Sequence, residues 1–212
     1  MILFAPAYDP ATRSNHLMAL RFEERASLAL MQEDATRIRL LLALQASTDA
    51  LVAFTHGTND GFKGQHGEMA LVSTDGASLQ GRRALVYACH TGTNFGRMMA
   101  FAGSAWWGYT GTIVAPPDHV SEADIVAPVF DHLVTAFLNS QTPGSVSNVF
   151  DTLRSRCAEA AERLDARFET GEAVDMETYY CLLHVWDRLR IWLPGIGEPL
   201  HHPECSTLFV LD

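Results

Sequence analysis

Apolar positions along this chain follow two rhythms. Short runs of four or five, rich in aliphatic, β-branched and aromatic residues, read as buried strands: residues 2–5, 50–54, 84–87 and 105–109. Residues 69–73 read as a further short strand, and Asp75-Gly76 after them as a turn. The other rhythm is helical. It runs through residues 12–47, with Leu17, Leu20, Phe22, Leu28, Leu30 and Met31 on one face and Ser14 or Asn15 as candidate cap. Glu33 and Asp34 mark a break there, after which Ile38, Leu41, Leu42 and Leu44 continue. It returns at Asn94, where Phe95, Met98, Met99 and Phe101 precede the stop at Gly103. Residues 122–139 carry the clearest stripe (Val126, Val129, Phe130, Leu133, Phe137, Leu138), with Ser121 as candidate cap. Pro143-Gly144-Ser145 reads as a turn, residues 146–168 as a helix closed by Gly171, and residues 176–192 as a last long helix ended by Pro194-Gly195. A final apolar run, 207–211, reads as an edge strand.

Strands alternating with helices predict a three-layer α/β/α domain with a mostly parallel sheet. With 212 residues, 48% of them hydrophobic, the chain can build one proper core, so a single domain over 1–212 is expected, its C-terminal part (about 146–193) helical. The formal charge of −10 argues against nucleic acid or an anionic membrane as the main partner. No stretch approaches the ~18 apolar residues of a membrane span. The N-terminus lacks the basic region of a signal peptide. Four widely spaced cysteines (Cys89, Cys157, Cys181, Cys205) suggest neither a disulfide framework nor a structural zinc site. The simplest expectation is a reduced, cytoplasmic protein.

The chemistry concentrates in residues 50–92. Each of two apolar runs ends in a reactive side chain followed by glycine: Thr55-His56-Gly57 after the first and Ala88-Cys89-His90-Thr91-Gly92 after the second. At the same ends of neighbouring parallel strands, His56 and Cys89 would meet over the sheet edge, where open α/β sheets hold their sites. A thiol becomes a useful nucleophile as thiolate, which a nearby imidazole and the N-terminus of the helix after Thr91 would favour. The alternative is that Cys89 is a small buried hydrophobe and His56 a solvated loop residue. Between the strands, Gly57, Gly61, Gly64 and Gly67 make a loop whose backbone can approach a ligand closely. His66 in that loop is the second candidate base. His90 reads as structural. The tail cluster His201, His202, Glu204, Cys205 has ligand chemistry but no common zinc spacing.

These motifs, "FTHGTNDG" and "YACHTG" in strand context, resemble the histidine and cysteine motifs of the caspase-like cysteine peptidases. That superfamily includes caspases, metacaspases, gingipains, separases and the bacterial CHAT-type peptidases. The likeness extends over roughly residues 48–158, and the His56–Cys89 spacing suits the shorter bacterial members. It implies a caspase-like fold and a cysteine endopeptidase with a Cys89–His56 dyad, in which the Gly57 backbone N–H and that of Cys89 form the oxyanion hole. It implies a protein or peptide substrate, an activating partner if activity is gated, and no cofactor. Small bacterial members often serve antiviral defence or cell death by cutting a companion such as a gasdermin.

Tyr87, Trp106, Trp107 and Asp60 are the candidate substrate-binding residues, Glu68 a further acidic one. The tryptophans fall where the family's substrate strand would be, though they could equally pack a helix on the sheet. Metacaspases often place an aspartate just before the cysteine motif. Here stand Val86-Tyr87-Ala88, so their preference for a basic residue does not carry over, and caspase-like reading of aspartate finds only Arg97 nearby. A non-catalytic interaction module on the same fold, and another thiol hydrolase or acyltransferase, are the competing readings.

Overall fold

The computed structural model describes residues 1–140 and 143–205. Strand β1 (Ile2–Ala5) is wholly buried and stops at Pro6. Helix α1 (Pro10–Leu20) starts where Asp9 accepts the Thr12 N–H while Thr12 accepts the Asp9 N–H, with Pro10 in the first turn. Strand β2 (Leu28–Met31) and helix α2 (Arg37–Ala46), capped by Thr36, follow. Then come β3 (Leu51–Phe54) and three short strands, β4 (Gly57–Thr58), β5 (Gly61–Lys63) and β6 (Met69–Val72). The glycine-rich loop is thus a small antiparallel sheet of its own, order β4-β5-β6. Strand β7 (Arg83–Tyr87), helix α3 (Asn94–Phe101) and strand β8 (Ala105–Tyr109) continue the main sheet. Helices α4 (Val120–Asn139), α5 (Pro143–Glu169) and α6 (Met176–Asp187) precede the last strand, β9 (Leu189–Trp192).

The main sheet has six strands in the order β2-β1-β3-β7-β8-β9. Five run parallel, and β9 pairs antiparallel with β8 at the edge. Strand residues alternate between two buried clusters, as the pleat demands. Leu3, Val52, Phe54, Leu85, Tyr87, Trp107 and Tyr109 face α1, α4, α5 and α6. Ile2, Phe4, Leu51, Ala53, Ala84, Val86 and Trp106 face α2, α3 and the small sheet. This is the three-layer α/β/α architecture expected from the alternation of strands and helices.

Several boundaries differ from the sequence pattern. The helical rhythm of 12–47 contains a strand: Leu28–Met31 pairs parallel with β1, Leu28 opposite Ile2. Its leucine, alanine and methionine are helix formers, so only the exposed hydrogen-bonding edge of β1 makes it extended. The last helix ends at Asp187 rather than Trp192. Leu189 and Ile191 alternate with Arg190, and antiparallel pairing with Tyr109 and Trp107 overrides helical continuation. Asp9, not Ser14 or Asn15, caps α1, and Ser121 lies inside α4, whose N-cap is His119. Pro143 opens α5 instead of making a turn, which its fixed φ permits in a first helical position. The edge strand read at 207–211 lies outside the described residues. Among the described residues no helix is long and apolar enough to cross a membrane.

The small sheet is held down by Phe62, fully buried edge-on against Phe4 with ring centroids 5.6 Å apart. Phe62→Ala should therefore cost about 3–5 kcal/mol. Urea denaturation checks this; a loss below about 1 kcal/mol would mean that the small sheet is not anchored through this contact.

Candidate active site

Strands β3 and β7 lie side by side with Phe54 opposite Tyr87. The Thr55 N–H donates to the Tyr87 carbonyl at 3.1 Å, carrying the ladder one residue further. His56 and Cys89 each stand two residues beyond that Phe54–Tyr87 pair. Phe54 and Tyr87 share the face toward α4–α6, and the ladder ends just beyond them, in bends at Thr55 and Ala88. Ala88 faces the opposite cluster, and Cys89 packs partly against the first. The sheet thus brings the two residues to one edge.

Gly57 makes that approach possible. A Cβ there would lie 2.2 Å from the Cys89 carbonyl oxygen and 2.7 Å from Thr91 Cγ2. Any side chain would force the two strand ends apart. The Lys63 N–H donates to the His56 carbonyl at 2.9 Å, which makes that pair the hydrogen-bonded one. The next pair, Gly57–Phe62, is then non-hydrogen-bonded, and the Gly57 N–H turns away from β5.

His56 has a partner that sequence reading missed. Its Nε2 lies 2.8 Å from Asp9 Oδ2, with both side chains about a third exposed (35% and 33%). An ionised carboxylate can only accept, so Nε2 carries a proton, and in the neutral imidazole the lone pair is at Nδ1. Burial works against the Asp9 charge, but the Thr12 N–H and hydroxyl, and then His56, outweigh it and hold the carboxyl below its usual range. The Tyr8 ring meets the imidazole edge-on at 6.0 Å. Burial first, then the charges of Asp9 and Glu68, push the Tyr8 hydroxyl up to about 12, so it stays neutral. The signal for Asp9 was in the chain: Asp-Pro with threonine three residues after the aspartate is a helix start. That this cap would also reach His56 follows only from β1 lying beside β3 in the sheet.

Cys89 is half-buried. Its Sγ accepts the Ile113 N–H at 3.3 Å, and its S–H donates to the Ile113 carbonyl at 3.7 Å. The turn after it is fixed from below. His90 takes the left-handed conformation (φ 61°), so the extended pattern stops there, and its N–H donates to the Gly111 carbonyl. The Trp106 and Trp192 indole N–H groups donate to the Thr91 and Gly92 carbonyls at 2.8 and 2.7 Å. Thr91 Oγ1 donates back to the Ala88 carbonyl at 2.9 Å.

The remaining candidates fall elsewhere. Tyr87, Trp106 and Trp107 are at most 2% exposed, so they cannot wall an open substrate pocket. They pack the core, which for the two tryptophans was the alternative reading. Tyr87 donates to the Val114 carbonyl at 2.6 Å, Trp106 to Thr91, and Trp107 meets Phe137 edge-on. Asp60 is exposed at the β4–β5 turn and Glu68 is exposed before β6. His66 is exposed and pairs with Glu33 at 3.2 Å, away from the cysteine turn. Arg97 is exposed and reaches Asn94 on its own helix. In the tail, buried His202 pairs with Asp151 at 3.2 Å and Glu204 with Arg154 at 2.7 Å. Among the described residues no group of three or more ligating side chains comes together.

Asp9 serves two partners, and substitution separates them. Asp9→Ala removes the α1 cap and should cost about 1 kcal/mol at neutral pH. Asp9→Asn can still cap but loses the charge. The folded carboxyl ionises more readily than the unfolded one, so its charge stabilises the fold above about pH 4. That contribution is lost as the pH falls through the lowered folded value. Urea denaturation of wild type and Asp9→Asn at pH 7 and pH 3 should show a gap that narrows in acid; a gap of constant size contradicts this account. No family model, curated protein or solved structure matches the chain.

Proposed function

We propose that this chain is a cysteine endopeptidase in which Cys89 is the nucleophile and His56 the general base and acid. The observation that carries the reading is the juxtaposition of the two at one sheet edge, with the imidazole held by Asp9 at 2.8 Å. A nucleophile, a base and a group that orients the base form the minimum set for covalent catalysis. Motif resemblance at the same two residues supports it from another direction.

In this mechanism His56 takes the thiol proton at Nδ1 and the Cys89 thiolate attacks the peptide carbonyl. The C–N bond then breaks, and the imidazolium passes its proton to the leaving amine. A thioester remains on Cys89. Water, deprotonated by His56, hydrolyses it and returns the free thiol. Asp9 stabilises the imidazolium through both steps. The Gly57 N–H, turned away from β5, and the Cys89 N–H are the donors for the developing oxyanion. The substrate is a peptide or protein, and on the resemblance a companion protein of the same defence system. An activating partner would act on the segment over Cys89.

Limiting iodoacetamide, followed by mass spectrometry of each cysteine, tests the nucleophile. Cys89 should react first, and His56→Ala should slow it at least about tenfold at pH 7. Cys157 and Cys181 are buried, and burial pushes both thiols well up, that of Cys181 to about 12, so both should stay slow. A mixed peptide library should then be cut by wild type and not by Cys89→Ala. Esters cut while peptides are spared would assign the site to another thiol hydrolase. Equal labelling of Cys89 in wild type and His56→Ala would remove the dyad.

A further inference from the structure

The segment that leaves β8 crosses in front of the cysteine, and α6 and its C-cap hold it at two points. The Thr110 N–H donates to the Arg188 carbonyl at 2.9 Å. Four residues on, the Val114 N–H donates to His184 Nδ1 at 3.2 Å. His184 and Arg188 are themselves one helical turn apart, so the last turn of α6 and the C-cap that follows it grip both ends of a short strap. Gly111 turns the strap with φ 64°, a conformation that L side chains rarely adopt. Its middle meets the nucleophile: the Gly111 carbonyl accepts the His90 N–H, and the Ile113 N–H lies on Cys89 Sγ. Tyr87, two residues before Cys89 on β7, closes the grip by donating to the Val114 carbonyl.

We propose that His184 is a positioning residue for the Cys89 nucleophile. By accepting the Val114 N–H, it fixes the strap that lays the Ile113 N–H on the cysteine sulfur. The inference rests on Cys89 being the nucleophile. The Ile113 N–H at 3.3 Å and the Ile113 carbonyl at 3.7 Å both meet Sγ, so the strap fixes where the sulfur stands and which way it faces. The side chain suits the task. His184 is 8% exposed and stacked on Tyr180. Burial first, then the Arg188 charge, push its imidazole down to about 4 against the opposing pull of Asp187, so Nδ1 is a lone-pair acceptor at neutral pH. A leucine in its place would fill the space and leave the Val114 N–H without this acceptor.

The test is the pH profile of Cys89 alkylation by iodoacetamide in the full chain. His184→Leu should slow Cys89 across the profile, by about threefold or more at pH 7. His184→Asn, whose amide oxygen replaces Nδ1, should restore the wild-type profile. His184→Gln, with its acceptor one bond further out, should behave like leucine. Buried Cys157 and Cys181 report folding in the same spectra and should remain unlabelled. A wild-type profile in His184→Leu, or identical profiles in the asparagine and glutamine variants, overturns the proposal. Should His184→Leu fail to fold, the asparagine–glutamine pair decides alone. The peptidase reading is scored separately by peptide cleavage. Cys89 responding to His184 while no peptide is cut would leave this positioning standing and sink the peptidase.

Discussion

Everything at the candidate site depends on one register, Phe54 opposite Tyr87 in the parallel pair β3–β7. A slip of one residue would turn every side chain of one strand to the other face of the sheet, because the side-chain period of a strand is two. The register is specified from both sides. Phe54 and Tyr87 lie 5.9 Å apart and share Phe130 of α4, while Ala53 and Val86 belong to the cluster under α2 and α3. A slip would exchange those environments, putting large rings where small residues are packed. Core packing and placement of the chemistry are therefore one constraint.

The turn carrying Cys89 is held by close approach as much as by hydrogen bonds. A Cβ on Gly92 would meet Gly108 and Tyr109 backbone atoms at 2.7 Å, and one on Gly96 would meet the Trp192 and Trp106 rings at 2.7 and 2.8 Å. Small residues let β8 and the two indoles reach the turn. The indoles then satisfy carbonyls that the strand ladder leaves behind, and leaving such groups unpaired when buried costs about 1–3 kcal/mol each. Trp192 does this from β9, so the antiparallel edge strand is tied to the site although its own pairing lies elsewhere.

The strands β1, β3, β7 and β8 were legible because each is a compact apolar run between turn signals. The histidine and cysteine stood out as candidates because both runs end at reactive residues. What escaped was set by tertiary pairing. Leu28–Met31 and Leu189–Trp192 carry no strand signature strong enough to interrupt the helical rhythm around them, and each is extended because a neighbouring edge strand offers hydrogen bonds. The aromatic residues near the cysteine showed their chemistry without their direction. Trp106 and Trp107 point to opposite faces of the sheet, and both are buried. Asp9 was visible as a helix start, but its partner depends on strand order, and local pattern does not encode that order.

Asp9 also shows why the fold and the proposed chemistry cannot be tuned separately. Its carboxylate accepts the Thr12 N–H at 2.8 Å with one oxygen and faces His56 Nε2 at 2.8 Å with the other. The cap fixes where α1 begins, and the start of α1 fixes where the carboxylate stands relative to the end of β3. An aspartate on a free loop would have to lose side-chain entropy to meet the imidazole; here the cap has already ordered it. The hydrogen bonds that keep it ionised are mostly those of the cap. The helix therefore supplies the orientation and the charge that hold His56, and lengthening the Pro6–Asp9 connection would loosen the base even with every reactive residue unchanged.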